Sequence, residues 1–182
     1  MTQALYFIVK TLTQLYLLLL LLRFWLPFFN VDFRNPMAKG VLRLTSPLIV
    51  PLRRFIPSIG RMDTATVLVA LAFEYVLVAL LLSMRGLSLG VVPIVITAFF
   101  ELAILSLNLL FFVILIRIIL SWVAPNNYSP ITAMLNAVAE PVLRPFRRMI
   151  PPIGGFDISP IFAIIILQAG IIILQTYKPI PI

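Results

Sequence analysis

Of 182 residues, 62% are hydrophobic and 11% charged, against about 45–50% and about 25% in soluble domains. A soluble core cannot hide that much apolar surface, so the chain reads as an all-α integral membrane protein. The cations behind the net charge of +8 flank apolar runs and are read as lacking interleaved exposed aromatics, which argues against nucleic acid, and the absence of Cys and His removes disulfides, His-based zinc and the usual haem ligands.

Leu5 to about Trp25 is apolar. At about 1.5 Å per residue it can cross a core of about 30 Å, which predicts a first span over about 5–25. No small-x-small site follows it, so the span is expected to stay in place. Arg23 near its end is expected to snorkel to the interface. Pro27 to Asn35 reads as a loop. Asn35-Pro36 then forms a cap with proline at the first helical position. Met37, Val41, Leu42 and Thr45 share one face, opposite Lys39 and Arg43, which predicts a short interfacial amphipathic helix.

Pro47 to Asp63 follows, basic and punctuated by Pro47, Pro51 and Pro57. These prolines are expected to prevent a long regular helix. Asp63-Thr64 opens a second span over about 64–83. A short turn carries Arg85, Gly86 and Gly90. The third span, about 97–122, lies in an apolar run longer than one bilayer needs, so it is expected to tilt or protrude. Ser129-Pro130 is again a cap and a proline, before Ile131, Met134, Leu135 and Val138 at helical spacing. The sequon Asn127-Tyr128-Ser129 in this loop reads as coincidence. Pro141 to Asp157 then matches Pro47 to Asp63 at nine of 17 positions without a gap. Ser159-Pro160 opens the fourth span, about 158–177.

The 94-residue offset also pairs Leu15 with Leu109, Arg23 with Arg117 and Pro36 with Pro130. The chain therefore divides into repeats over 1–90 and 91–182. Each contains two spans, an interfacial amphipathic helix and a Pro-Arg-Arg segment. Two spans per repeat insert both copies the same way up, a parallel duplication. The motif-bearing loops carry seven and four Lys/Arg, against three on the other side. That imbalance places the motifs in the cytoplasm and both termini outside a bacterial inner membrane, with the cations near anionic headgroups.

Glu74 falls near mid-membrane, where an ionisable group is costly. Its repeat equivalent is Gln168, and Gln14 pairs likewise with Asn108. Glu101 lies seven residues from Asn108 on one helix face. These five side chains read either as hydrogen-bonded packing between helices or as a proton or cation path, and the path would need an oligomer. Arg53, Arg54, Arg147 and Arg148 have three readings: anchors on anionic lipid, ion pairs with Asp63 and Asp157, or a docking surface for another membrane protein. Asp63 and Asp157 could equally be helix caps. Gly60 and Gly154 are expected to supply turns. No phosphate loop, metal-ligand cluster or nucleophile–base pair is visible, which predicts a non-enzyme without cofactor or metal.

The doubled P-x-x-x-P-x-R-R-x-I-P-x-I-G-x-x-D pattern, the Ser129-Pro130 cap and the Phe156-Asp157-Ile158-Ser159-Pro160 ending resemble the YggT (YlmG-like) family, as a tandem pair covering nearly the whole chain. The first copy departs from the pattern: Arg61-Met62-Asp63-Thr64-Ala65 stands where the second has Gly155-Phe156-Asp157-Ile158-Ser159. The resemblance implies an inner-membrane protein without established chemistry. Relatives are linked to osmotic-shock tolerance and ion uptake, and in photosynthetic organisms to cytochrome assembly and to division or nucleoid organisation. From this follow three expectations: support of osmotic or ionic homeostasis, a scaffold or assembly factor, or an oligomeric ion-transport component.

Overall fold

The computed structural model describes residues 2–60, 62–124, 129–150 and 157–181. Among these, six helices follow one another: α1 (Thr2–Phe28), α2 (Pro36–Leu52), α3 (Thr64–Met84), α4 (Val91–Val123), α5 (Pro130–Met149) and α6 (Ser159–Tyr177). α1, α3, α4 and α6 are long and apolar enough to cross a membrane. They pack in the order α1–α3–α4–α6, with a smaller contact between α1 and α4. α2 packs on α1 and α3, α5 on α4 and α6, and α2 and α5 touch each other. The protein is thus an all-α membrane protein built as two repeats of span, amphipathic helix and span.

The larger core lies toward the motif-bearing end, where Leu17, Leu20, Leu26, Ile49, Ile114 and Leu143 are fully buried, and a smaller one forms at the other end around Val78, Leu82, Ile94 and Ala98. Outward faces stay apolar, as at Phe7, Leu12, Val76 and Ile165. Lipid is as apolar as these side chains, so the spans are held together by close packing rather than by hydrophobic exclusion. Gly170 illustrates this: a Cβ there would stand 3.3 Å from Leu107 Cδ1.

Several local expectations hold. Asn35 caps α2 by accepting from the Met37 N–H at 2.8 Å. Ser129 and Thr132 form a reciprocal capping box on α5. α3 ends in a Schellman turn, with Gly86 at φ 71° and the Leu87 N–H donating to Leu82 C=O at 3.0 Å. Gly60, at φ 59°, sits in a tight turn between Ile59 and Met62. Gly154 and the sequon residues Asn127 and Tyr128 lie outside the described residues.

Two expectations are corrected. The motif prolines do not end the amphipathic helices: α2 runs through Pro47 and Pro51, and α5 through Pro141 and Pro145. The four-residue spacing places each pair on one exposed face. The carbonyls they free can there be solvated by water or headgroups, which lowers the usual penalty. Arg23, expected to snorkel, is instead 3% exposed and held inside the protein. α1 runs past its expected bounds at both ends, and α4, at 33 residues, exceeds what one bilayer needs, as its apolar run predicts.

Candidate functional site

Each repeat gathers an arginine from its first span, an arginine from its motif and the aspartate that precedes its second span. In the first repeat, the Arg23 Nη1 donates to Thr45 Oγ1 (2.8 Å), Ser46 Oγ (3.2 Å) and Leu42 C=O (3.4 Å). Its Nε donates to Asp63 Oδ2 at 3.4 Å. Arg53 forms an ion pair with the same carboxylate. Asp63 also caps α3, accepting from the Thr66 hydroxyl at 2.6 Å and the Thr66 N–H at 3.4 Å. Burial pushes Asp63 upward, but hydrogen bonds from Arg53 and Thr66 outweigh it and hold its carboxyl below the usual carboxylate range.

The second repeat uses the same positions differently. Arg147 Nη1 donates to both Glu140 oxygens, at 2.8 and 2.7 Å, and its Nε to Asp157 Oδ2 at 2.7 Å. Arg117 reaches Asn136 Oδ1 at 2.7 Å and Glu140 at 3.4 Å rather than the aspartate. Asp157 accepts from the Ser159 hydroxyl at 2.5 Å and the Ser159 N–H at 3.0 Å. Burial raises Asp157 somewhat, but Ser159 and Arg147 prevail and lower it. For Arg147, partial burial works downward, but Asp157 and Glu140 hold the guanidinium charged and raise it.

The clusters differ most in access. The Asp63 side chain is 3% exposed and that of Asp157 40%. Glu140 stands where the first repeat has Ser46, and Pro160 where it has Thr66. The first cluster thus holds two cations and one carboxylate, with Arg23 and Asp63 buried and Arg53 46% exposed. The second holds two of each beside a cavity of about 640 Å³ lined by Arg117, Trp122, Leu143, Arg147, Asp157 and Ile161. Arg54 and Arg148 are exposed and make no ion pair among the described residues.

The five intramembrane polar residues do not form one hydrogen-bonded line. Glu74 is 3% exposed, and the charges of Glu101, Lys10 and Lys178 act on it. Glu101 is paired with Lys178 at 2.6 Å. Asn108 donates to Ile104 C=O of its own helix at 3.0 Å. Gln14 and Gln168 make no hydrogen bond with a described residue. What surrounds Glu74 is one further carboxylate, Glu101, and two cations, Lys10 and Lys178.

Sequence reasoning overlooked Arg23 and Arg117 as site members, Glu140 and Thr66 altogether, and the pairing of Lys178 with Glu101. The arginines carried a signal, since they are repeat equivalents at the same offset as the motifs. Glu140 is one of only six acidic residues, one α-helical stretch before Arg147.

The CCB3/YggT family matches residues 2–84 and again 96–177. The chain belongs to this family. It is 41% identical over 169 residues to an uncharacterized protein of Pseudomonas aeruginosa, covering 92% of this chain and 85% of that protein. It is 37% identical over 162 residues to the uncharacterized protein YggT of Escherichia coli strain K12, covering 88% and 84%. A shorter match, 38% over 63 residues, reaches YlmG homolog protein 2, chloroplastic, of Arabidopsis thaliana, covering 35% of this chain and 25% of that one. No solved structure matches. None of these family members is named as an enzyme.

Proposed function

We propose that this YggT-family protein is a non-enzymatic inner-membrane protein supporting osmotic-stress tolerance or ion homeostasis, acting by contact at its second motif. The observation that carries this is the difference between two equivalent clusters. The first buries its carboxylate, Asp63, whereas the second leaves Asp157 40% exposed beside a largely apolar cavity that Arg147 also lines. The excess of cations on the motif side supports a cytoplasmic position near anionic headgroups.

The test uses cells lacking the gene, shifted to high osmolarity. Wild-type protein restores growth; Arg147→Ala, present in the membrane at the same level, does not. A photo-crosslinking residue at Trp122 captures a defined neighbour in wild type and loses it in Arg147→Ala. Full restoration by Arg147→Ala with unchanged capture would overturn the reading. Capture of division or cytochrome-assembly proteins without an osmotic defect would favour a scaffold instead.

A second reading, a transport component, is favoured by Glu74, buried mid-span beside three other charges. Purified protein in liposomes would then carry K⁺ or H⁺ flux that Glu74→Gln removes.

A further inference from the structure

Repeat equivalence pairs α1 with α4 and α3 with α6. In this chain α3 is covered on two sides, by α1 from its own repeat and by α4 from the next. α6 is covered by α4, and α1 and α6 are not among the packed pairs. The face that α3 buries against α4 is therefore open on α6, and the matching face of α4 is open on α1. On α3, Val78 and Leu82 are 1% and 2% exposed. At the equivalent α6 positions Ile172 is 60% exposed, and Thr176 is exposed as well. On α4, Ala98 and Leu102 are 0% and 9% exposed; their α1 equivalents are Ala4, exposed, and Ile8, 51% exposed.

One polar residue lies on the open α6 stripe, between Ile165 and Ile172. Gln168 is about 14 Å into the span from Ser159, at about 1.5 Å per residue, and no described residue hydrogen-bonds its amide. Lipid covers isoleucine but offers an amide no partner. Thr11 lies on the open α1 face at matching depth. It is twelve residues from Arg23, as Gln168 is eleven from Asp157.

We propose that this face binds a second copy of the chain, with α6 of one protomer packing on α1 of its partner as α3 packs on α4 within the chain. The occupant follows from the duplication. α1 is the repeat equivalent of the helix that already covers α3, and every copy carries both faces at the same depth and in the same orientation.

The chain has no cysteine, so introduced thiols are the only ones present. Ile8→Cys in one tagged protein and Ile172→Cys in another, co-expressed, should crosslink across chains in native membranes. Val76→Cys, lipid-facing on α3 at 61% exposure, should not crosslink to Ile8→Cys. Full-length protein in lipid nanodiscs should be dimeric or larger. Gln168→Leu, which retains the helix and its apolar packing, should weaken association by about three- to thirty-fold, the range of an interhelical hydrogen bond in a membrane. A monomeric wild type in nanodiscs, or Ile8/Ile172 crosslinking no stronger than the Val76 control, would leave lipid as the occupant and overturn the proposal.

Discussion

At the scale of the residue, one aspartate has been given two different jobs. Asp63 is sealed between Arg23, Arg53 and Thr66, so removing its charge leaves the buried Arg23 with hydroxyl and carbonyl partners alone. Uncompensated buried charge is expensive, and Asp63→Asn should cost about 3–5 kcal/mol in detergent-solubilised unfolding. Asp157 is 40% exposed, so its pair with Arg147 is screened, and Asp157→Asn should cost only about 0.2–1 kcal/mol. Equal losses at the two positions would contradict the asymmetry. The pH response has a definite sign. Asp63 is held below its ordinary value, so its contribution is complete above the unfolded carboxylate value of about 4. It is lost as pH falls from there through the lower native value. Thermal unfolding between pH 7 and pH 3 should show wild type well above Asp63→Asn at neutral pH. The difference should narrow only at the acid end.

At the scale of the element, α2 and α5 show where sequence reading succeeds and where it stops. Their starts were legible, because Asn35-Pro36 and Ser129-Pro130 are local cap chemistry. Their lengths were not, because the cost of Pro47, Pro51, Pro141 and Pro145 depends on which way the freed carbonyls face. That direction is set by tertiary packing of Val41, Thr45 and Ile49 inward, with the prolines outward. Because the helix continues through them, the prolines are a residual cost. Pro141→Ala with Pro145→Ala should raise thermal stability, by up to about 3 kcal/mol per site. A fall in stability would instead assign the prolines a bend that the motif needs. The site divides the same way. The Arg–Asp pairing within each motif was among the readings of the sequence. The recruitment of Arg23 and Arg117 was not, because a cation near a span end ordinarily reaches for headgroups.

At the scale of the whole molecule, the duplication was legible from a single offset, and the departure from symmetry was not. Identical spacing places Glu74 and Gln168, or Gln14 and Asn108, at equal depth. Which of them meets a partner depends on which helices pack, and α1–α3–α4–α6 is an open row. At the end away from the motifs, Lys178, just past α6, folds back on Glu101, and the following Ile180 packs against Val78, Leu82, Ile94 and Ala98. Arg85 ties that tail further, donating to Pro181 C=O at 3.2 Å and to the Tyr6 hydroxyl at 3.0 Å. The Lys178–Glu101 pair, with side chains 10% and 15% exposed, thus ties the end of the last helix to its neighbour α4. Breaking it from one side should be costly: Lys178→Met alone, or Glu101→Leu alone, leaves an unpaired charge and should lose about 3–5 kcal/mol. The double replacement removes both charges and should recover most of that loss, a coupling that a double-mutant cycle in detergent measures directly. The same double variant separates the two functional readings. A bundle that works by packing and contact keeps osmotic growth once its stability is restored. A bundle that moves ions past Glu74 loses it, because both of the charges flanking the path on that side have gone.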